Sequence, residues 1–180
     1  MRAWRIRWVL LGLSIALSAS SCAVQPNSAD IRFVAEMIPH HELGVTLIDV
    51  ATTNAGDVRL RRLVFEMGNY HHHDMMALRN LAKDWNVKPA SSFPGELPKK
   101  RVQLLRQQMG IEHDVGWLHL MITHHLGALQ IAEMSIDRSD SPAVQRLARA
   151  TKEVQAREIN EMRLLLAELC KISTLTECTK

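Results

Sequence analysis

The sequence predicts an all-α protein, a four-helix bundle assembled from two tandem helix pairs. Three observations lead there. A motif recurs at a spacing of 84 residues, four long segments carry apolar residues at helical period, and no segment alternates at strand period. The repeat sets Asp30-Ile-Arg-Phe-Val-Ala-Glu-Met-Ile-Pro-His-His41 against Asp114-Val-Gly-Trp-Leu-His-Leu-Met-Ile-Thr-His-His125. Asp, Met, Ile and both His are shared, with Phe33 facing Trp117 and Val34 facing Leu118.

Residues 1–21 read as an export signal: Arg2, Arg5 and Arg7, then an apolar run from Val9 to Ala19. That run falls short of the roughly 20 apolar residues of a membrane span. Ala19, Ser20 and Ser21 lead into Cys22, an order that resembles a lipoprotein signal, with Cys22 as the lipidated N-terminus and residues 22–29 as a tether. Ala19 stands where such signals carry Leu, so simple cleavage to a secreted protein is the alternative. Three of the 22 Lys and Arg lie in this leader, and the remaining 19 balance the 19 Asp and Glu. The balance excludes a strongly basic nucleic-acid-binding surface. The mature chain suits one domain, residues 30–170, with one core.

The first helix places Phe33, Met37, His40, His41, Gly44, Leu47, Ile48 and Ala51 on one stripe. The second, from Val58, places Leu60, Val64, Met67, His71, Met75, Leu78 and Ala82 likewise, and the first repeat spans 30–85. Residues 86–98 form a crossover linker, since Pro89-Ala-Ser-Ser-Phe-Pro-Gly-Glu-Leu-Pro98 cannot continue a helix. The second repeat, 99–170, opens with a short amphipathic helix over 99–109, for which Gly110 is the expected C-cap. The third stripe is Trp117, Met121, His124, His125, Ala128, Ile131 and Ala132. The fourth is Val144, Leu147, Ala148, Thr151, Val154, Gln155, Glu158, Met162, Leu165 and Leu169, after a turn that sets Pro142 at the helix start. In an oxidising compartment Cys170 and Cys178 can join as a clip ahead of the 171–180 tail; two free thiols are the alternative.

Histidine and methionine interrupt these stripes at matching heights. A buried imidazole needs a partner on both nitrogens or loses roughly 1–3 kcal/mol per unsatisfied group. A metal ion meets that need, because neutral imidazole is a ligand whose other N–H can bond elsewhere. Met37 with His41, Met121 with His125, His71 with Met75 and Glu158 with Met162 all lie one helical turn apart on a shared face. Thioether with imidazole suits copper, Cu(I) above all, better than hard cations, though another transition metal can use the same donors. No Asp or Glu has His three residues later and no His-Glu-x-x-His occurs, which speaks against a di-iron carboxylate or zinc-protease centre. The bland reading sets the His pairs at a solvent-facing helix edge and Met67 and Met134 in the core. Further donors or supports are Glu158, His72 and His113, whereas Asp30 and Asp114 are expected as helix N-caps. Pro39 is expected to interrupt its helix and free a carbonyl.

At Met-Ile-Pro-His-His, Met-Ile-Thr-His-His-Leu-Gly-Ala and Gln155-x₂-Glu158-Ile-x₂-Met162, the sequence resembles the bacterial "domain of unknown function 305" family, from about Asp30 to Leu169. The resemblance implies a ferritin-like fold, export, and in some members an association with copper. It also implies metal contacts from Met37, His40, His41, Met121, His124 and His125. The first repeat departs from the pattern: Gly44 falls one place late relative to Gly127, and His71 to His73 replace Gln-x₂-Glu. The combined expectation is an exported copper-binding protein for sequestration, tolerance or hand-over, with a lipid anchor as its contact to the membrane. A ferritin-like metal-dependent oxidase and a metal-independent interaction module are the alternatives, and oligomeric state is left open.

Overall fold

The computed structural model describes residues 25–178; the leader and Cys22 fall outside that range. Its helices are α1 (Ser28–Asn54), α2 (Val58–Trp85), α3 (Lys99–Leu105), α4 (Gly110–Ile136) and α5 (Pro142–Lys171), followed by a 3₁₀ turn at Thr176–Cys178. The protein is all-α, and its four long helices form the bundle. α1 packs on α2, α4 on α5, and the two pairs meet mainly through α1 and α4. Among the described residues no helix is long and apolar enough to cross a membrane.

Local sequence sets the helix starts. Asn27 caps α1 by accepting from the Ala29 and Asp30 amides, while Asp30 accepts from the Asn27 amide at 2.9 Å, a reciprocal capping box. Asp57 caps α2, and Ser141 caps α5 with Pro142 in the first turn. Asn86 ends α2 in the left-handed conformation, at φ 53°.

Three expectations need correction. Neither Asp30 nor Asp114 is the N-cap of its own helix; each reaches across to the turn of the other repeat. Asp114 accepts from the Gly56 amide at 3.0 Å and the Asp57 amide at 2.7 Å, and Asp30 accepts from the Ser139 hydroxyl and the Ser141 amide. Antiparallel packing of α1 on α4 brings each Asp beside the other pair's turn, where helix-start amides have no partner of their own. Gly110, at φ 61°, opens α4 rather than closing α3. The chain leaves α3 at Leu105, and Asn54 holds the Arg106 and Gln108 carbonyls at 3.2 and 2.9 Å. Finally, α1 runs through Pro39 uninterrupted. The carbonyl that proline leaves without its helical donor, Ala35 O, accepts from the linker's Ala90 amide at 2.8 Å.

The linker therefore lies against the bundle at the height of the repeated motif. A Cβ on Gly127 would stand 2.3 Å from the Pro94 oxygen and 2.4 Å from Gly95 Cα, so only glycine lets the linker cross α4 there. Phe93 meets the His40 ring edge-on at 5.7 Å. At the far end, Cys170 and Cys178 are disulfide-bonded.

The apolar core is divided in two. One cluster gathers Leu47, Leu60, Met67, Trp117, Met121 and Met162; the other gathers Phe33, Met37, Met75, Leu78, Ile131 and Val144. Along every long helix the change from one cluster to the other falls at the polar positions of the stripes: His40 and His41, His71, His124 and His125, and Gln155 with Glu158.

Candidate metal centre

A layer of imidazoles separates the two clusters. His40, His41, His71, His124 and His125 are all buried, none more than 2% exposed. Ring centroids lie 3.8 Å apart for His40 and His124, 4.8 Å for His41 and His71, and 6.1 Å for His71 and His125.

Hydrogen bonding settles the tautomers of four of these rings, because a carbonyl or carboxylate oxygen can only accept. His40 Nε2 donates to the His124 carbonyl and His124 Nε2 to the His40 carbonyl, both at 2.9 Å, a reciprocal pair across the pseudo-two-fold axis. His71 Nδ1 donates to the Met67 carbonyl at 3.1 Å, and His125 Nε2 donates to Glu158 at 2.9 Å. Each ring keeps a second nitrogen that is buried and has no hydrogen-bond partner: Nδ1 of His40, His124 and His125, and Nε2 of His71. His41 has no hydrogen bond at either nitrogen, and its Nε2 lies 3.5 Å from Asp74.

Burial, and then the neighbouring imidazoles, disfavour the charged form. The His40 ring is pushed down to about 3, by burial first and His41 next, against the bond to His124. His71 and His124 are held well below the ordinary histidine range, first by burial and then by His41 and His40 respectively. These rings are neutral at physiological pH, the form that binds metal.

Both helix pairs obey one spacing. The 84 residues between His40 and His124 also separate the caps Asp57 and Ser141. On that register His71 corresponds to Gln155, Asp74 to Glu158, Met75 to Ile159 and Leu78 to Met162. His71–Met75 and Glu158–Met162 are therefore not equivalent pairs of the two halves. Each half instead has an imidazole facing a carboxylate, His41 with Asp74 and His125 with Glu158. Gly44 corresponds to Ala128, not Gly127, and its reason is steric: a Cβ there would stand 2.6 Å from His71 Nε2.

Met37 and Met75 belong to the cluster on one side of the layer, Met121 and Met162 to the other. His72 points outward and is exposed. His113 is buried near the start of α4 with Nδ1 3.2 Å from Asp114; eleven residues from His124, roughly 16 Å along the helix, it stands away from the layer. One participant escapes the motif reading: Asp74 follows His71 by three places, a spacing visible in the sequence. Gln155, already on the fourth stripe, is buried with an unpartnered Oε1. Among the described residues no three His, Cys, Asp or Glu side chains are arranged to hold a metal ion.

Fold and site together define a four-helix bundle with a buried histidine layer and methionine on either side. The chain belongs to the DUF305 family, described as a domain of unknown function, whose model matches residues 30–166. Among solved structures it is similar to a DUF305 protein of Streptomyces coelicolor described as secreted: 27% identity, TM-score 0.73, covering 79% of this chain and 94% of that one. A DUF305 fragment from Deinococcus radiodurans aligns at 23% identity and TM-score 0.72, over 79% of this chain and 97% of that one. CopM in a Cu(I)-bound form aligns at 20% identity and TM-score 0.65, over 74% and 91%. No curated protein sequence matches the chain.

Proposed function

We propose that this chain is an exported protein that binds copper, as Cu(I), in its histidine layer, and acts in sequestration or hand-over in the cell envelope. One observation carries the reading: four buried imidazoles each commit one N–H to an acceptor and keep the other nitrogen's lone pair unpartnered. Leaving such groups buried costs roughly 1–3 kcal/mol each, and a soft metal ion turns that cost into bonds. The donor chemistry fits, since Met37, His40, His41, His71, Met75, Met121, His124, His125 and Met162 supply only imidazole nitrogen and thioether sulfur. Glu158 supports the set by fixing the His125 ring. The likeness to a Cu(I)-bound bundle agrees with copper, and the leader and the secreted relative agree with export. Lipidation at Cys22 would hold the bundle at the membrane surface.

The test is an anaerobic Cu(I) titration of residues 22–180 against a chromophoric chelator. The protein should compete for the metal, and its melting temperature should rise with Cu(I), as for any ligand bound only by the folded state. Changing His40, His41, His124 and His125 together to Ala should abolish binding. Met75→Leu, which keeps core volume, should weaken it at least ten-fold. Copper affinity unchanged in both variants would refute the assignment.

A further inference from the structure

The two halves of the layer are unequal, and so are the surfaces above them. Between α1 and α2 a groove of about 420 Å³ runs from the surface to the layer; Glu42, Asp49, His72 and Arg79 line it together with His71 and Met75, and Arg79 pairs with Glu42 at 3.5 Å. Gly68 lines it, and a Cβ added there would touch nothing closer than Ile48 at 3.8 Å, so open space lies above this position. On the spacing of 84, the corresponding residue of α5 is Lys152, which reaches across to Glu133, the counterpart of Asp49, at 3.1 Å. The positions of Glu42 and His72 are taken by Leu126 and Ala156. Below them, His71 is replaced by Gln155 and Met75 by Ile159, while Ala128 fills the space that Gly44 leaves for the His71 ring.

Resting on the copper reading above, we propose that the bundle takes up metal from one side only. The ion passes through the α1–α2 groove into a single centre at His41, His71 and Met75, and the α4–α5 half is a closed copy. With Glu42 paired to Arg79, Asp49 and the exposed His72 imidazole at the mouth are the groups that attract a cation. His71 Nε2, buried and unpartnered, lines the same groove. Asp74 faces His41 at 3.5 Å and positions that ring. The opposite half has no sulfur and no second imidazole at the matching positions, and a Lys–Glu pair spans the way in.

The experiment is Cu(I) titration and stopped-flow uptake on residues 22–180. The parent protein should bind one equivalent tightly. His71→Gln, which installs the residue of the other half, should lower affinity at least ten-fold with helix content unchanged. Gly68→Lys should slow uptake at least ten-fold and leave equilibrium affinity within two-fold. Two equal equivalents in the parent protein, affinity within two-fold in folded His71→Gln, or unchanged uptake in Gly68→Lys would each overturn the one-sided site. If His71→Gln does not fold, stoichiometry and Gly68→Lys decide. Failure of the parent protein to bind Cu(I) at all would instead overturn the copper reading itself.

Discussion

Acidification should destabilise the metal-free bundle well above the range in which carboxylates titrate. His40 is pushed from 6.5 down to about 3 in the folded protein, chiefly by burial and secondly by His41. The unfolded chain takes up this proton near 6.5, whereas the folded chain resists it until about pH 3. Stability is therefore fully present above 6.5 and is lost as pH falls toward 3. At pH 5 the loss from His40 alone is about 2 kcal/mol relative to pH 7.5. His71 and His124, lowered for the same reason, act in the same direction. Urea unfolding followed by circular dichroism at pH 7.5, 6 and 5 reads this directly, and the midpoint should fall steadily. A free energy that changes by less than about 0.5 kcal/mol between pH 7.5 and 5 would refute the reasoning, since these imidazoles would then be hydrated or protonated in the native state.

Two further outcomes probe the packing that builds the layer. Asp114→Ala strips the Gly56 and Asp57 amides of their acceptor and should cost about 3 kcal/mol, read as a drop in melting temperature of roughly 10 °C; a change of a degree or less would show that the clamp is dispensable. Gly127→Ala should cost about 2 kcal/mol because its Cβ would meet linker backbone, while Gly68→Ala, with open space around it, should be neutral or stabilising in thermal melts. Equal melting temperatures for the two alanine variants would refute the linker-crossing explanation.

Most of the fold was legible in the chain. A 3.6-residue period, capping residues and a proline-containing linker are local signals, and 84-residue duplication implies two pairs that must bury their stripes on each other. The five histidines of the layer were legible for the same reason, since each lies on a stripe that is otherwise apolar. Partnerships across the bundle were not. Asp30 and Asp114 read as N-caps in the sequence, yet both lie inside their helices and reach the opposite repeat, because antiparallel packing of α1 and α4 brings each to a foreign turn. His113 shares a helix with His124 but lies too far along it to join the layer.

The repeated Met-Ile-x-His-His motif by itself determined that two equivalent helices would carry paired imidazoles into one core, because periodicity and apolar surroundings follow from the order of residues alone. Only the tertiary structure decided which nitrogen each ring keeps for a ligand. That choice rests on backbone carbonyls and a carboxylate supplied by other turns and other helices. It also decided what the sequence differences between the halves do in space. Gly44 matters through the His71 ring that its missing Cβ admits, and Gly68 lines the open groove above the layer; such space exists only once the helices are packed.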